Sequence, residues 1–204
     1  GTLLSLKIPI IECADYMENS PLGRAEWVKF FGLLYDNKAV GDSIFNNTRN
    51  NYLELLNVTR KIVKKPKVIT ETVINGMWYV PGGNSYMAQI IADAGGDYPW
   101  KEDKSTGSLQ LDFTQVFDKA HDADIWLIKT YNQAVTHNSL KSSYTLNADM
   151  EAFKKNGIYA CDTKATPLFE DFPFHPDILL REYISIFHPE LLKGYASKYF
   201  KRVT

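Results

Sequence analysis

Between residues 38 and 64 the apolar side chains Val40, Ile44, Phe45, Tyr52, Leu55, Leu56 and Ile62 recur at helical spacing, and Pro66 closes the pattern. At about 1.5 Å per residue such a helix is nearly 40 Å long, enough to cross a whole domain face. A helix of that length with a single apolar stripe needs a broad packed surface to lie on. A shorter helix precedes it. Ser20-Pro21 supplies a start with proline at the first helical position, and Leu22, Trp27, Phe30, Phe31 and Leu34 mark one apolar face.

Beyond Pro66 strands and helices alternate. Strands are expected at 68–74, 125–129 and 158–161, and helices at about 84–94, 113–121 and 148–155. The boundaries are signalled locally: Gly95-Gly96 stops the first helix, Asp112 with Gln115 opens the second as a capping box, and Asn147 caps the third before Gly157 ends it. His175-Pro176 and His188-Pro189 are expected to open two further short helices. This order predicts an α/β fold, a small parallel sheet with helices on its faces, preceded by the long helix.

The 204 residues are 45% hydrophobic and 23% charged, which suits one good core with an appended element. A formal net charge of -1 leaves no electrostatic footprint for nucleic acid or an anionic membrane. The basic run at 60–67 reads as the C-terminal end of the long helix, complementing its dipole. No apolar run reaches the roughly 18 to 20 residues that span a bilayer. Cys13 and Cys161 lie far apart with no Cys or His at metal-ligand spacing, so both read as buried thiols. Asn46 and Asn57 begin Asn-x-Thr sequons inside the helical pattern and carry no weight. An apolar strand pattern at 6–11, with no signal-like segment before it, makes the chain read as the continuation of a larger protein.

Ligands of an open parallel sheet bind beyond the carboxyl ends of the strands, which selects three loops at about 75–83, 130–138 and 162–174. The first carries Trp78, Tyr79 and Pro81-Gly-Gly-Asn-Ser85, the second Thr130-Tyr-Asn-Gln133, the third Lys164, Phe169, Glu170, Asp171, Phe172 and Phe174. Rings and a few polar groups on one edge suit a concave surface for a sizeable organic ligand, or else close the core over the sheet edge. Pro81-Gly-Gly lacks the spacing of a phosphate loop or a dinucleotide fingerprint, so its glycines read as a tight turn with close helix packing. Nucleophile-elbow and zinc-helix motifs are absent, and the histidines (His121 at a helix end, His137 in a loop, His175 and His188 before prolines) read as structural. No enzymatic activity and no cofactor are expected. The alternative, an enzyme on a related two-lobed scaffold dependent on a metallocluster or nucleotide, needs clustered cysteines or a phosphate loop.

Four blocks in order, Glu18-Asn-Ser-Pro-Leu-Gly-Arg24 through Gly32, Gly82-Gly-Asn-Ser-Tyr86 through Gly96, Asp122-Ala-Asp-Ile-Trp-Leu127, and His175-Pro-Asp-Ile-Leu-Leu-Arg181 through Leu191, resemble the substrate-binding proteins that serve iron-siderophore, haem and cobalamin ABC importers. The resemblance implies two Rossmann-like lobes joined by a long rigid helix, with the ligand in the cleft between them. On that reading residues 1–37 end the N-terminal lobe and add the first helix, 38–66 form the connecting helix, and 67–204 form the C-terminal lobe; most of the N-terminal lobe lies outside the chain. It implies an extracytoplasmic protein of the periplasm or cell envelope, lipid-anchored or secreted, whose partners are a metal chelate and the membrane subunits of an ABC permease. Ligand contacts map to Trp78, Tyr79, Tyr131 and Lys164. The family docks its permease through a surface Glu on each lobe; Thr114 stands at that position here, and Asp112 beside it is expected to be occupied as a helix cap.

Overall fold

The structure, a computed structural model, describes residues 5–204. Helix α1, Pro21–Leu34, starts as expected, with the Ser20 hydroxyl accepting from the Gly23 N–H at 3.0 Å. Helix α2, Lys38–Thr59, is the long element. It stops short of residue 64, so the basic run lies beyond the helix instead of in its last turn. Continuing would place Arg60 above Lys64 and Lys61 above Lys65, like charges one turn apart, and Pro66 would remove further support. Leu34 and Val40, assigned to the apolar stripes, are exposed. The two helices pack together where glycines meet: a Cβ on Gly41 would lie 2.9 Å from the Val28 carbonyl oxygen and 3.2 Å from the Lys29 Cα.

The expected strand at 68–74 is split. β1, Val68–Thr70, joins a parallel sheet, whereas β2, Val73–Ile74, turns into an antiparallel one, and between them Glu71 adopts φ 65°. The expected loop at 75–83 is largely a hairpin: Asn75 (φ 52°) and Gly76 (φ 82°) form the two-residue turn between β2 and β3, Met77–Pro81. After α3, Tyr86–Asp93, β4 (Ser108–Leu111) pairs antiparallel with β3. Then come α4, Phe113–Ala120, and β5, Ile125–Thr130. Both capping-box bonds of α4 form, Gln115 N–H to Asp112 at 2.8 Å and Asp112 N–H to Gln115 at 2.9 Å.

His137, expected in a loop, begins helix α5, His137–Ser143, which has its own capping box from Thr136 and Ser139. The helix expected at 148–155 shrinks to α6, Glu151–Lys154. Asn147 does not cap it; buried in a preceding 3₁₀ turn, its amide donates to the Leu140 carbonyl at 2.8 Å. β6, Ile158–Asp162, α7, Leu168–Asp171, α8, Pro176–Phe187, and β7, Lys201–Arg202, complete the order. His175-Pro176 opens α8 as expected, but His188-Pro189 opens nothing. His188 closes α8, its ring buried and bonded to the Gly95 carbonyl at 3.1 Å.

The main sheet has the order β1-β5-β6-β7, parallel except for β7 at one edge. α8 packs against α2 and α3, α6 against β5, and α4 against β3. Trp78 and Trp126 stack at the centre of the core with ring centroids 5.5 Å apart. Residues 6–11 form no strand. Leu6, Ile8, Ile10 and Ile11 are exposed, and no strand among the described residues pairs with them. A strand's backbone groups need such a partner, and Pro9 lacks a donor in any case. Cys161 is buried as expected, but Cys13 is exposed; both thiols are free.

Candidate functional site

Glu71 lies at the carboxyl end of β1, and its left-handed backbone is held from three sides. Its N–H donates to the Leu127 carbonyl at 2.8 Å, its carbonyl accepts from the Trp126 indole at 2.6 Å, and the Trp78 indole donates to the neighbouring Thr70 carbonyl at 2.8 Å. The stacked indoles therefore do more than fill volume: they fix the turn that carries the Glu71 carboxylate. That carboxylate pairs with the Lys129 ammonium from β5, and both side chains are largely buried.

Two hollows of about 440 and 480 Å³ flank this pair, sharing Glu71, Thr72, Ile74, Lys129 and Phe169 in their walls. The first is aromatic, with Tyr79, Tyr86 and Phe172 beside Met87 and Leu168. Tyr86 and Phe172 stack at 5.5 Å, and the Arg24 guanidinium lies 5.1 and 5.2 Å from their centroids while pairing with Asp15 at 3.1 Å. Burial pushes the Tyr86 hydroxyl up, against the opposing pull of Arg24. The second hollow is rich in hydroxyl and amide groups from Thr130, Tyr131, Gln133, Ser139, Ser143 and Thr163. Its rim is organised by Asp162, whose carboxylate accepts from the N–H groups of Lys164 at 3.0 Å and Asn132 at 2.8 Å; these bonds hold its carboxyl below the usual range.

The sequence-predicted residues separate. Tyr79 lines the aromatic hollow and Tyr131, 74% exposed, lines the polar one. Lys164 is exposed on the loop after β6, outside both linings. Trp78, expected to face a ligand, is wholly buried, because the hairpin turns its ring onto Trp126. Thr114 is exposed in the first turn of α4, and Asp112 is occupied as its cap. Sequence reasoning missed Glu71, Tyr86 and Lys129. The available signal was Lys129 itself, a cation after four apolar residues in one strand.

The Pro81-Gly-Gly segment is a close-packing device. A Cβ on Gly82 would lie 2.3 Å from the Ser105 carbonyl oxygen, and one on Gly83 2.3 Å from that of Asp103. The N–H groups of Gly82, Asn84 and Ser85 are spent on the carbonyls of Gly107, Ser105 and Gly82. Among the described residues no group of three or more His, Cys, Asp or Glu is arranged to hold a metal ion.

The profile of the periplasmic binding protein family matches residues 4–165. The chain belongs to that family. An uncharacterized lipoprotein of Methanocaldococcus jannaschii is 32% identical over 200 residues, a match that takes in 96% of this chain and 46% of the relative. This periplasmic binding protein chain thus spans about half the length of the curated relatives it matches. Its fold is shared with the TroA-like periplasmic binding protein FepB of Veillonella parvula (TM-score 0.69, 17% identity, 93% of this chain and 63% of that one). It is also shared with the periplasmic heme-binding protein RhuT of Roseiflexus sp. RS-1 (TM-score 0.65, 17% identity, 90% and 70%).

Proposed function

We propose that this chain is the C-terminal, ligand-contacting lobe of an extracytoplasmic receptor that delivers a metal chelate, a ferric siderophore, haem or cobalamin, to an ABC importer. The observation that carries this reading is the pair of hollows at the carboxyl ends of β1 and β5, aromatic on one side and hydroxyl-rich on the other. Such a surface suits a large organic ligand that presents both apolar faces and carbonyl oxygens. Tyr79, Tyr86, Phe172 and Tyr131 are its contact residues, with Lys164 at the periphery. Residues 38–66 connect this lobe to a second one, and the exposed apolar side chains at 6–11 belong against that lobe. Residues around Thr114 face the permease, with a hydroxyl in place of an acid. The lipoprotein relative supports a location outside the cytoplasm with a lipid anchor; no helix of the described residues is long and apolar enough to cross a membrane.

Titration of the protein's longest natural form with ferric chelates, haem and cobalamin tests the reading. Tryptophan quenching that saturates at micromolar ligand or below is expected with one class, and no response to any of them rejects it.

A further inference from the structure

Two charged side chains line the hollows, Glu71 and Lys129, and they are bonded to each other. The nearest cation behind the aromatic wall, Arg24, is neutralised by Asp15, and Lys164 stands outside both linings. A ligand of high negative charge entering either hollow would shed its hydration there without meeting an unpaired cation in the lining, Lys164 lying only at the periphery, and to reach Lys129 it would have to strip Glu71 away. A neutral ligand meets no such penalty. Three hydroxamates balance a ferric ion, whereas three catecholates leave it trianionic. We propose that this lobe selects a ferric chelate of zero net charge, of the tris-hydroxamate type, over the tris-catecholate trianion, and that the closed Glu71–Lys129 pair is the selecting element.

The proposal rests on the metal-chelate reading above and narrows it. The linings agree with it: stacked rings for apolar arms in one hollow, and in the other the Tyr131 hydroxyl and Gln133 amide as donors for carbonyl oxygens, the hydroxyls of Thr130, Ser139, Ser143 and Thr163 being spent on backbone carbonyls. Haem, with its propionates, falls on the disfavoured side.

Equilibrium dialysis of the protein's longest natural form against radioiron-labelled neutral tris-hydroxamate and trianionic tris-catecholate chelates provides the test. The neutral chelate should bind about tenfold more tightly or better. Glu71→Gln frees the Lys129 ammonium and should cut that preference by about tenfold, through tighter binding of the trianion. Lys129→Met should widen the preference, and the swap Glu71→Lys with Lys129→Glu should restore it. Thermal melting of each variant separates selectivity from folding, and Lys129→Met carries the test if Glu71→Gln does not fold. Equal or tighter binding of the trianion by the unaltered protein overturns the proposal and leaves the receptor reading standing. Binding of neither ferric chelate while haem or cobalamin binds has the same result. No binding of any of them overturns both. A preference that no folded variant moves overturns the assignment to the pair.

Discussion

Residues 6–14 and 195–203 are both short segments with little regular structure, and the fold treats them oppositely. The first carries Leu6, Ile8, Ile10 and Ile11, each between 45% and 63% exposed. The second is richer in polar groups, yet Tyr199, Phe200 and Val203 are buried. The difference lies in Glu182 on α8. Its wholly buried carboxylate accepts from the N–H groups of Lys198 at 2.9 Å, Tyr199 at 3.0 Å and Phe200 at 2.7 Å, and from the hydroxyls of Tyr195 and Ser197. Three consecutive N–H groups form an anion-holding concavity that the protein fills with its own side chain. The first segment has nothing of this kind before Asp15 and Glu18, which pair with Arg24 and the Trp27 indole. Apolar content alone does not bury a segment; its backbone groups must also find partners.

Removing Glu182 is the most direct way to erase the contrast. Glu182→Ala should cost about 3–5 kcal/mol in urea unfolding, because it orphans the buried N–H groups of Tyr199 and Phe200 and the part-buried one of Lys198 at once. It should also open 195–203 to limited proteolysis. Glu182→Gln should cost less, since the amide oxygen still accepts while its NH₂ faces donors. A Glu182→Ala protein as stable as the original would mean the tail is held by its apolar side chains after all.

Tyr195→Phe is the next step down, about 1 kcal/mol at neutral pH for one lost hydrogen bond to a carboxylate. Its signature is alkaline. Burial, then the neighbouring Glu182 charge and hydrogen bond, push the Tyr195 hydroxyl up to about 12 from an ordinary value near 10. The folded state therefore keeps this proton longer than the unfolded chain. The stability it contributes is complete below about pH 10 and is lost as pH climbs through about 12. Melting curves across that range should show a shallower decline for Tyr195→Phe than for the unaltered protein. Arg24→Met probes the other end. It removes one ion pair and two cation–π contacts, should cost about 0.5–1 kcal/mol, and should loosen the ordering of residues 15–18 without touching 195–203.

What the sequence discloses about this fold follows the range of each interaction. The start of α4 is legible because Asp112 and Gln115 bond within one turn, and α2 is legible because its stripe is periodic. The parallel strands are legible as apolar runs between helices. The candidate site is another matter. Asn75-Gly76 carries a hairpin signal that the loop expected at 75–83 leaves unread, and the burial of Trp78 depends besides on β4 pairing back onto β3 across an intervening helix. Glu71 and Lys129 are 58 residues apart, and only the parallel pairing of β1 with β5 brings them together. The anchoring of 195–203 depends in the same way on Glu182, which reads locally as one acid on a helix face.

The smallest expected effect bears on the comparison most severely. Replacing both Ile8 and Ile10 with Ser removes two large apolar side chains, a change that would cost several kcal/mol in a core. Here it should shift stability by no more than about 0.5 kcal/mol, because these side chains keep about half of their surface in water in the folded chain, at 45% and 49% exposure, and leave no core cavity when shortened. Hydrogen exchange makes the same point without mutation: amides at 6–11 should exchange at nearly unprotected rates, while those of Tyr199 and Phe200, bonded to Glu182, should exchange only through larger opening events. A loss above about 1 kcal/mol in the double variant, or protection at 6–11 matching that at 199–200, would place the two segments in one class. The burial of the second could then no longer be assigned to its polar anchor.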